Sequence, residues 1–513
     1  MNIRNITSSD LPKVRSEINQ LLNVIVYSES FDVLDGILFF IARNKYHKNL
    51  YLAANNENNP SFKAFFGQLI DQKQIDNELV IKKCPLSHQN ALLIQKYFDF
   101  TRPRLMSFKD SFGFGDRLGL ANAGHIRALK GSHFQPILAQ QSIRELTRTR
   151  RTPEDVMDAT VWAIFQEGYK GGFGADADHL KTTDDIDRMM SAGFTMFTID
   201  PSEHVNNDAD SLDEQSLKVE IQKLPWSSLK DKPNTLIDRY ENKNFKMSEK
   251  FHLKPSRLEI FRALVKYGGA LSHIKKLHDY LKKNYTKRLY EIECSVDETE
   301  SVTTPFDHFF IANELRRLGV EFVSLAPRFI GDFEKGIDYK GDIRLFREEY
   351  QKHLQITKYF GNYKISLHSG SDKFSIYKVI GSFHMGNVHV KTAGTSYLEA
   401  LKVVAIKLPQ LFREIFNFSR DIYETEKQSY HVSAHLSKLK TGNEYLDQEL
   451  AELFTNNDAR QVLHVAFGRV LTEKDDQEKY LFRDRIYQCL QENEELHYRL
   501  LVDHFKKHLE PFK

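Results

Sequence analysis

Residues 388–401 read VHVKTAGTSYLEAL: a short apolar run, a turn of small residues, then a helical pattern. The β-branched residues suit a strand, and the stretch from Gly394 to Ser396 suits a turn that opens a helix. The same unit recurs along the chain. It stands at SFGFGDRLGL (111–120), FQPILAQQSIRELT (134–147), GGFGADADHLKT (171–182) and FTMFTIDPSEHV (194–205). It returns at YEIECSVDET (290–299), EFVSLAPRFIG (321–331) and YKISLHSGSDKF (363–374). Helical patterns such as TPEDVMDATVWAIFQEG and HFFIANELRRLG follow these runs. Strands alternating with helices predict parallel α/β architecture. Eight of them predict a closed (β/α)8 TIM-type barrel over about residues 105–415.

The flanks complete the expected organisation. Residues 1–104 mix helical and strand patterns and read as an N-terminal α/β extension covering one end of the barrel. An Asp-, Asn-, Lys- and Ser-rich insertion after the fourth strand, at about 205–250, reads as a lid or an appended subdomain. Residues 416–513 read as a helical C-terminal region.

Composition narrows the class. Across 513 residues, 41% are hydrophobic and 28% charged, which describes a globular chain with a sizeable core. The 72 basic and 70 acidic residues leave a net charge of +2, which offers no field for nucleic acid. Cys84, Cys294 and Cys489 stand far apart without a CxxC pair, so neither a disulfide framework nor a thiolate zinc site is expected. The N-terminus lacks a signal-peptide apolar core, and VLDGILFFIA is too short to span a membrane and carries Asp35. The expected setting is the cytoplasm, with no membrane or nucleic-acid partner and a possible homo-oligomer. FGFG does not complete a GxGxxG fingerprint and no GKS or GKT follows a Gly-rich stretch, so nucleotide loops are absent.

In such a barrel the chemistry sits at the C-terminal ends of the strands. The eight runs end in polar groups: Asp116 and Arg117; Gln140, Gln141 and Ser142; Asp176, Asp178, His179 and Lys181; Asp200, Glu203 and His204. The later four carry Glu291, Glu293 and Asp297; Arg328; His368, Ser369 and Asp372; and His389, Lys391 and Thr392. A mouth lined this way suits a small, anionic, polyhydroxylated ligand. DADH sets a carboxylate beside an imidazole, and LHSGSD supplies a second imidazole across the barrel. Those ligand types suit a divalent cation with open positions for substrate oxygens: Mn, Zn, Ni, Co or Fe. A DxDH loop is also a common helix cap, and His389 and Glu291 sit early enough in their strands to read as structural. His431 and His435 in SYHVSAHLSKL show i, i+4 spacing and read as a solvated helical face. KTAGTS opens a helix whose backbone N–H groups can face an anion.

Taken together, SFGFGDRLGLANAGHIRAL, AQQSIREL, RTRRTPEDVMDATVWAIFQEGYKGGFGADADHLKT, TIDPSEHV and KTAGTSYLEAL resemble the tagaturonate epimerase family of bacterial hexuronate catabolism, from about residue 100 to beyond 400. The resemblance implies a metal-dependent barrel isomerase that interconverts D-tagaturonate and D-fructuronate. These sugars differ at C4, which is β to the C2 ketone, so the C4–H bond gains no enolate-type acidity. The C4 hydroxyl is instead an aldol hydroxyl, and cleavage and re-formation of C3–C4 inverts the centre. A metal stabilises the enediolate, and groups on the two faces of the aldehyde exchange its proton. Combined with the strand-end positions, this chemistry assigns Asp178, His179, Glu293 and His368 to the metal. Asp116 and Asp200 are assigned to proton exchange. Arg117, Gln141, Lys181, Arg328, Lys391 and Thr392 are assigned to the substrate. The rival readings are a class II-type aldolase that releases its fragments and a non-catalytic sugar-acid-binding barrel.

Overall fold

The computed structural model describes residues 11–45, 47–70, 79–361, 363–383 and 386–513. Its centre is a closed, wholly parallel barrel of eight strands: β1 (Ser111–Phe114), β2 (Gln135–Ser142), β3 (Gly174–Leu180), β4 (Met196–Ile199), β5 (Glu291–Val296), β6 (Ser324–Pro327), β7 (Lys364–Leu367) and β8 (Val388–Thr392). β8 closes the ring on β1 with Thr392 opposite Phe114. These are the eight runs read from the sequence.

The turn chemistry explains why the helices start where they do. Thr152, Thr182, Ser256 and Thr304 each cap a helix in a reciprocal capping box, opening Pro153–Gln166, Thr183–Ser191, Arg257–Asn284 and Pro305–Arg317. The glycines of SFGFG answer a spatial demand. A Cβ on Gly113 would sit 1.6 Å from Gln140 Oε1, and one on Gly115 would sit 2.6 Å from the Thr392 carbonyl. At Gly115 the obstacle is backbone, so glycine is required there, whereas at Gly113 it is the movable end of the Gln140 side chain.

Glu291 seals the lower end of the barrel by accepting the Met106 and Ser107 N–H groups at 3.0 and 2.7 Å. His389 meets the Ser111 hydroxyl at 3.0 Å in the same lower layer. Both serve the scaffold.

The N-terminal region forms an antiparallel sheet in the order Ile25–Val26, Ile37–Arg43, Lys48–Ala54, Val80–Pro85, Gln68–Leu69, with Asp32–Leu34 also pairing Ile37–Arg43. It packs on the flank of the barrel: Phe98 stands edge-on to Phe39 at 5.1 Å and to Phe165 at 5.2 Å. The insertion folds into the helices Glu214–Lys223, Trp226–Leu229 and Pro233–Tyr240 and a small hairpin, and docks on Arg257–Asn284. The C-terminal helix Glu494–Leu509 lies against Asn122–Ala128, where Phe505 packs on Phe114 at 5.1 Å and on His125 at 4.8 Å. The expected helix through His431 and His435 does not form. Residues 431–435 are irregular chain. Cys84, Cys294 and Cys489 are free and buried. No helix among the described residues is long and apolar enough to cross a membrane.

Candidate active site

A cavity of about 460 Å³ opens at the C-terminal ends of the strands. At its floor Lys391, pointing inward from β8, reaches Asp176 at 2.8 Å, Asp178 at 2.7 Å and Glu293 at 2.8 Å, and donates to Thr198 Oγ1 at 2.7 Å. Burial opposes the ammonium charge, yet the three carboxylates hold its pKa well above the ordinary lysine value. Burial also works against ionised Asp178 and Glu293. His179 and Lys391 offset it for Asp178, as Lys391 and His368 do for Glu293, and both carboxyls stay well below their usual range.

Two imidazoles rise above this floor. His179 has φ 54°, a left-handed conformation that costs a non-glycine residue energy, and lies beside a register shift between β3 and β4. Its Nδ1 donates to Asp178 Oδ1 at 2.9 Å. His368 donates through Nε2 to Glu293 Oε1 at 2.7 Å. Each ring therefore spends one nitrogen on a buried carboxylate and turns the other toward the cavity. Asp297, just beyond β5, meets those free nitrogens: its Oδ1 lies 3.0 Å from His368 Nδ1 and 4.0 Å from His179 Nε2. The His368 approach lacks hydrogen-bond geometry, since Nδ1 has no hydrogen-bond partner despite the short distance. Atoms of His179, Asp297 and His368 lie within 4.8 Å of one another. Two imidazole nitrogens and one carboxylate oxygen, each ring backed by a second carboxylate, are a donor set that fits a divalent cation. Burial disfavours both imidazolium ions, but the facing carboxylates raise His179 to about 9 and His368 to about 10.

The placement of the other sequence-derived candidates divides them. Asp178 and Glu293 sit at the ring nitrogens that face away from Asp297, so they orient imidazoles and neutralise Lys391. Asp200 lines the cavity: Oδ1 accepts the Ser202 N–H at 2.8 Å, while buried Oδ2 has no hydrogen bond and lies 3.7 Å from Lys181 Nζ. Lys181 also pairs with Glu203 at 3.0 Å. Arg328 lines the cavity without an ion pair among the described residues. Arg117 reaches the wall, but Glu145 holds it at 2.9 Å and it stacks on Phe467 at 3.6 Å.

Three expectations change. Asp116 does not line the cavity, because its carboxylate accepts the N–H groups of Leu118, Gly119 and Ala121 at 3.1, 2.8 and 2.7 Å. Gln141 is fully buried outside the cavity, since strand alternation turns Gln140 inward and Gln141 outward. Thr392 spends its hydroxyl on the Gly113 carbonyl at 2.7 Å.

The wall also contains residues the strand-end reading did not assign. Glu298 pairs with Arg144 at 2.9 Å and stands 3.8 Å from His179 Nε2. Lys335 enters from the loop after β6, and Tyr430, His431 and His464 from the C-terminal region. Asp297, already read at the end of the fifth run, and Glu298 follow β5 directly, so a strand-end window one residue longer also finds Glu298. Tyr430 and His464 carry no local sequence signal.

Comparison with known proteins agrees with this architecture. A family model described as tagaturonate epimerase (UxaE) matches residues 27–512. A curated tagaturonate/fructuronate epimerase from Thermotoga maritima is 42% identical over 487 residues, covering 94% of this chain and 96% of that protein. The glycerol-complexed crystal structure of fructuronate–tagaturonate epimerase UxaE from Cohnella laeviribosi is 36% identical, with a TM-score of 0.90, covering 98% of this chain and 99% of that chain. The native crystal structure of the same enzyme gives a TM-score of 0.89 at 36% identity, with the same coverage. With a match that spans nearly all of its length, the chain belongs to the tagaturonate epimerase family.

Proposed function

We propose that this protein interconverts D-tagaturonate and D-fructuronate by inverting C4 through cleavage and re-formation of the C3–C4 bond, as a cytoplasmic step of hexuronate catabolism. The observation that carries the reading is the convergence of His179, Asp297 and His368 at the mouth of a barrel of this family. A divalent cation held by these three side chains supplies Lewis-acid stabilisation of negative charge. Mn, Zn, Ni, Co and Fe all match the donor set.

The protein's own groups carry the proton and the orientation. Asp200, whose Oδ2 has no hydrogen-bond partner, takes the proton of the C4 hydroxyl. The C3–C4 bonding pair then stays on the C1–C3 fragment as an enediolate, and C4 becomes an aldehyde that keeps the carboxylate. Rotation of the aldehyde presents its other face, the C3–C4 bond re-forms, and the proton returns to the C4 oxygen. Lys181 Nζ stands 3.7 Å from Asp200 Oδ2 and orients that oxygen in the cavity. Lys391, fixed by three carboxylates, keeps Asp178 and Glu293 aligned behind the imidazoles.

Proton NMR of metal-loaded protein with D-tagaturonate in D2O, beside a chelator-treated sample, tests this reading. Fructuronate formed only with metal, and without deuterium at C4, supports it. Deuterium at C4 replaces bond cleavage with proton abstraction. Release of free three-carbon fragments makes the protein an aldolase, and binding without conversion makes it a sugar-acid-binding barrel.

A further inference from the structure

Six lysines and arginines line the cavity, and four of them are already matched: Arg117 by Glu145, Arg144 by Glu298, Lys181 by Glu203 and Lys391 by three carboxylates. Arg328 and Lys335 have no ion pair among the described residues. The two differ in preparation. No hydrogen bond among the described residues holds the Arg328 side chain. Lys335 Nζ donates to Ser369 Oγ at 2.6 Å, and its backbone N–H donates to the His431 carbonyl at 3.2 Å.

The loop that carries Lys335 is clamped from two sides. Lys373 Nζ donates to the Glu334 and Ile337 carbonyls at 2.8 and 2.5 Å, and Arg460 Nε donates to the Gly336 carbonyl at 2.6 Å. A cation is thereby held at the wall with two of its three donor hydrogens uncommitted.

A hydroxyl lines the same cavity. Tyr430, adjacent in the chain to the His431 that binds Lys335, lines the cavity with its buried hydroxyl unpartnered. His464 lines the same wall. Its Nε2 faces Arg117 Nη2, an obligate donor, at 3.4 Å, so Nε2 accepts and Nδ1 carries the proton; Nδ1 has no partner. A fixed ammonium and two unpartnered O–H and N–H donors are complementary to an oxyanion, and planar carboxylates take several such donors at once. Ser369, the partner of Lys335, follows His368 in the chain, so this wall adjoins the cluster of His179, Asp297 and His368.

We propose that Lys335, together with Tyr430 and His464, forms the subsite that holds the substrate's terminal carboxylate, which makes the C-terminal region a specificity element of the barrel. The inference rests on the reading of the substrate as a hexuronate. It also gives the subsite a task during turnover. The aldehyde fragment retains the carboxylate, so an anchored carboxylate keeps that fragment in place while C4 turns over.

Steady-state kinetics on metal-loaded wild type, Lys335→Met, Lys335→Arg, Tyr430→Phe and Arg328→Met decide the matter, with D-tagaturonate as substrate and neutral D-tagatose as competitor. Lys335→Met is expected to raise KM for tagaturonate at least 30-fold, to leave the inhibition constant of D-tagatose within about twofold, and to release free three-carbon fragments during turnover. Lys335→Arg recovers at least a third of the lost affinity, and Tyr430→Phe raises KM about 5- to 10-fold. A KM within threefold of wild type for Lys335→Met overturns the proposal. So does an equal loss of D-tagatose binding, or a carboxylate-selective loss confined to Arg328→Met. Wild type that does not convert tagaturonate overturns the functional reading itself, a failure separate from any behaviour of the variants.

Discussion

His179 Nδ1 donates to Asp178 Oδ1 at 2.9 Å, and this one hydrogen bond decides which nitrogen the ring offers to the cavity. His368 and Glu293 repeat the arrangement at 2.7 Å with the opposite ring nitrogens. The expected consequence is graded. His179→Ala, His368→Ala and Asp297→Asn each lose bound metal after gel filtration and at least about 10³-fold in kcat, whereas Asp178→Asn and Glu293→Gln weaken metal affinity only about 10–100-fold. Elemental analysis of the purified variants checks this. Full metal content in Asp297→Asn, or complete loss in Glu293→Gln, would return Glu293 to the first rank of ligands.

Lys391 carries a different kind of burden. Its ammonium balances Asp176, Asp178 and Glu293 in a region almost closed to solvent. Removing one partner of a buried ionic cluster leaves uncompensated charge and costs about 3–5 kcal/mol. Lys391→Met is therefore expected to lower the urea midpoint and the melting temperature markedly, while Lys335→Met, which breaks no ion pair, leaves both nearly unchanged. Equal stability of the two variants would show that the three carboxylates do not depend on Lys391.

The eight strands were legible because each short run ends where polar residues and a helical pattern begin, as at GADADHLKT, whose last residue Thr182 caps the next helix, and at VHVKT before the Thr395 helix. The same rule brought Asp178, His179, Lys181, Asp200, Arg328, His368 and Lys391 to one cavity. It misplaced Gln141 and Thr392, because a strand end alone does not say which residue of an alternating pair faces inward. It misplaced Asp116 because a carboxylate beside a turn is claimed first by nearby backbone N–H groups. Asp297 was named but given no role, since its approach to His368 and His179 is a tertiary contact between different strand ends. Tyr430 and His464 reach the wall only through packing of a region that follows the barrel. That contact is tertiary, and no local spacing encodes it.

Asp116 and Asp200 separate a structural acid from a chemical one. Asp116→Ala removes the acceptor of three backbone N–H groups, so a stability loss of about 2–4 kcal/mol is expected, with turnover per folded molecule changed less than about tenfold. Asp200→Asn keeps the Ser202 contact but cannot accept the substrate proton. Its kcat is expected to fall about 10²- to 10⁴-fold with little change in KM or melting temperature. Thermal denaturation and initial rates on both variants resolve the pair, and the reverse pattern would exchange their roles.

The last helix should loosen in mild base. His504 on Glu494–Leu509 lies between Asp372 at 2.6 Å and Glu399 at 3.0 Å, with Arg460 2.7 Å from the other Asp372 oxygen. Burial works against the imidazolium, but Glu399 and Asp372 together raise its pKa from 6.5 to about 9. A folded-state pKa above the unfolded value stabilises the protein fully below the unfolded pKa and loses that contribution as pH rises through the folded one. The window runs from about pH 6.5 to about pH 9, and the contribution is at most on the order of 3 kcal/mol. Neighbouring His508, whose Nε2 accepts the Asp372 N–H at 3.0 Å, is held neutral by burial at a pKa of about 3, so it does not titrate in this window. Melting temperatures of metal-loaded wild type and His504→Gln, taken at intervals from pH 6 to pH 10, isolate the effect. Wild type should lose stability relative to the variant across the window, because the glutamine cannot gain or lose the proton. Parallel curves for the two proteins would mean that His504 is already neutral at pH 6.5, and that Arg460 alone holds the Asp372 charge.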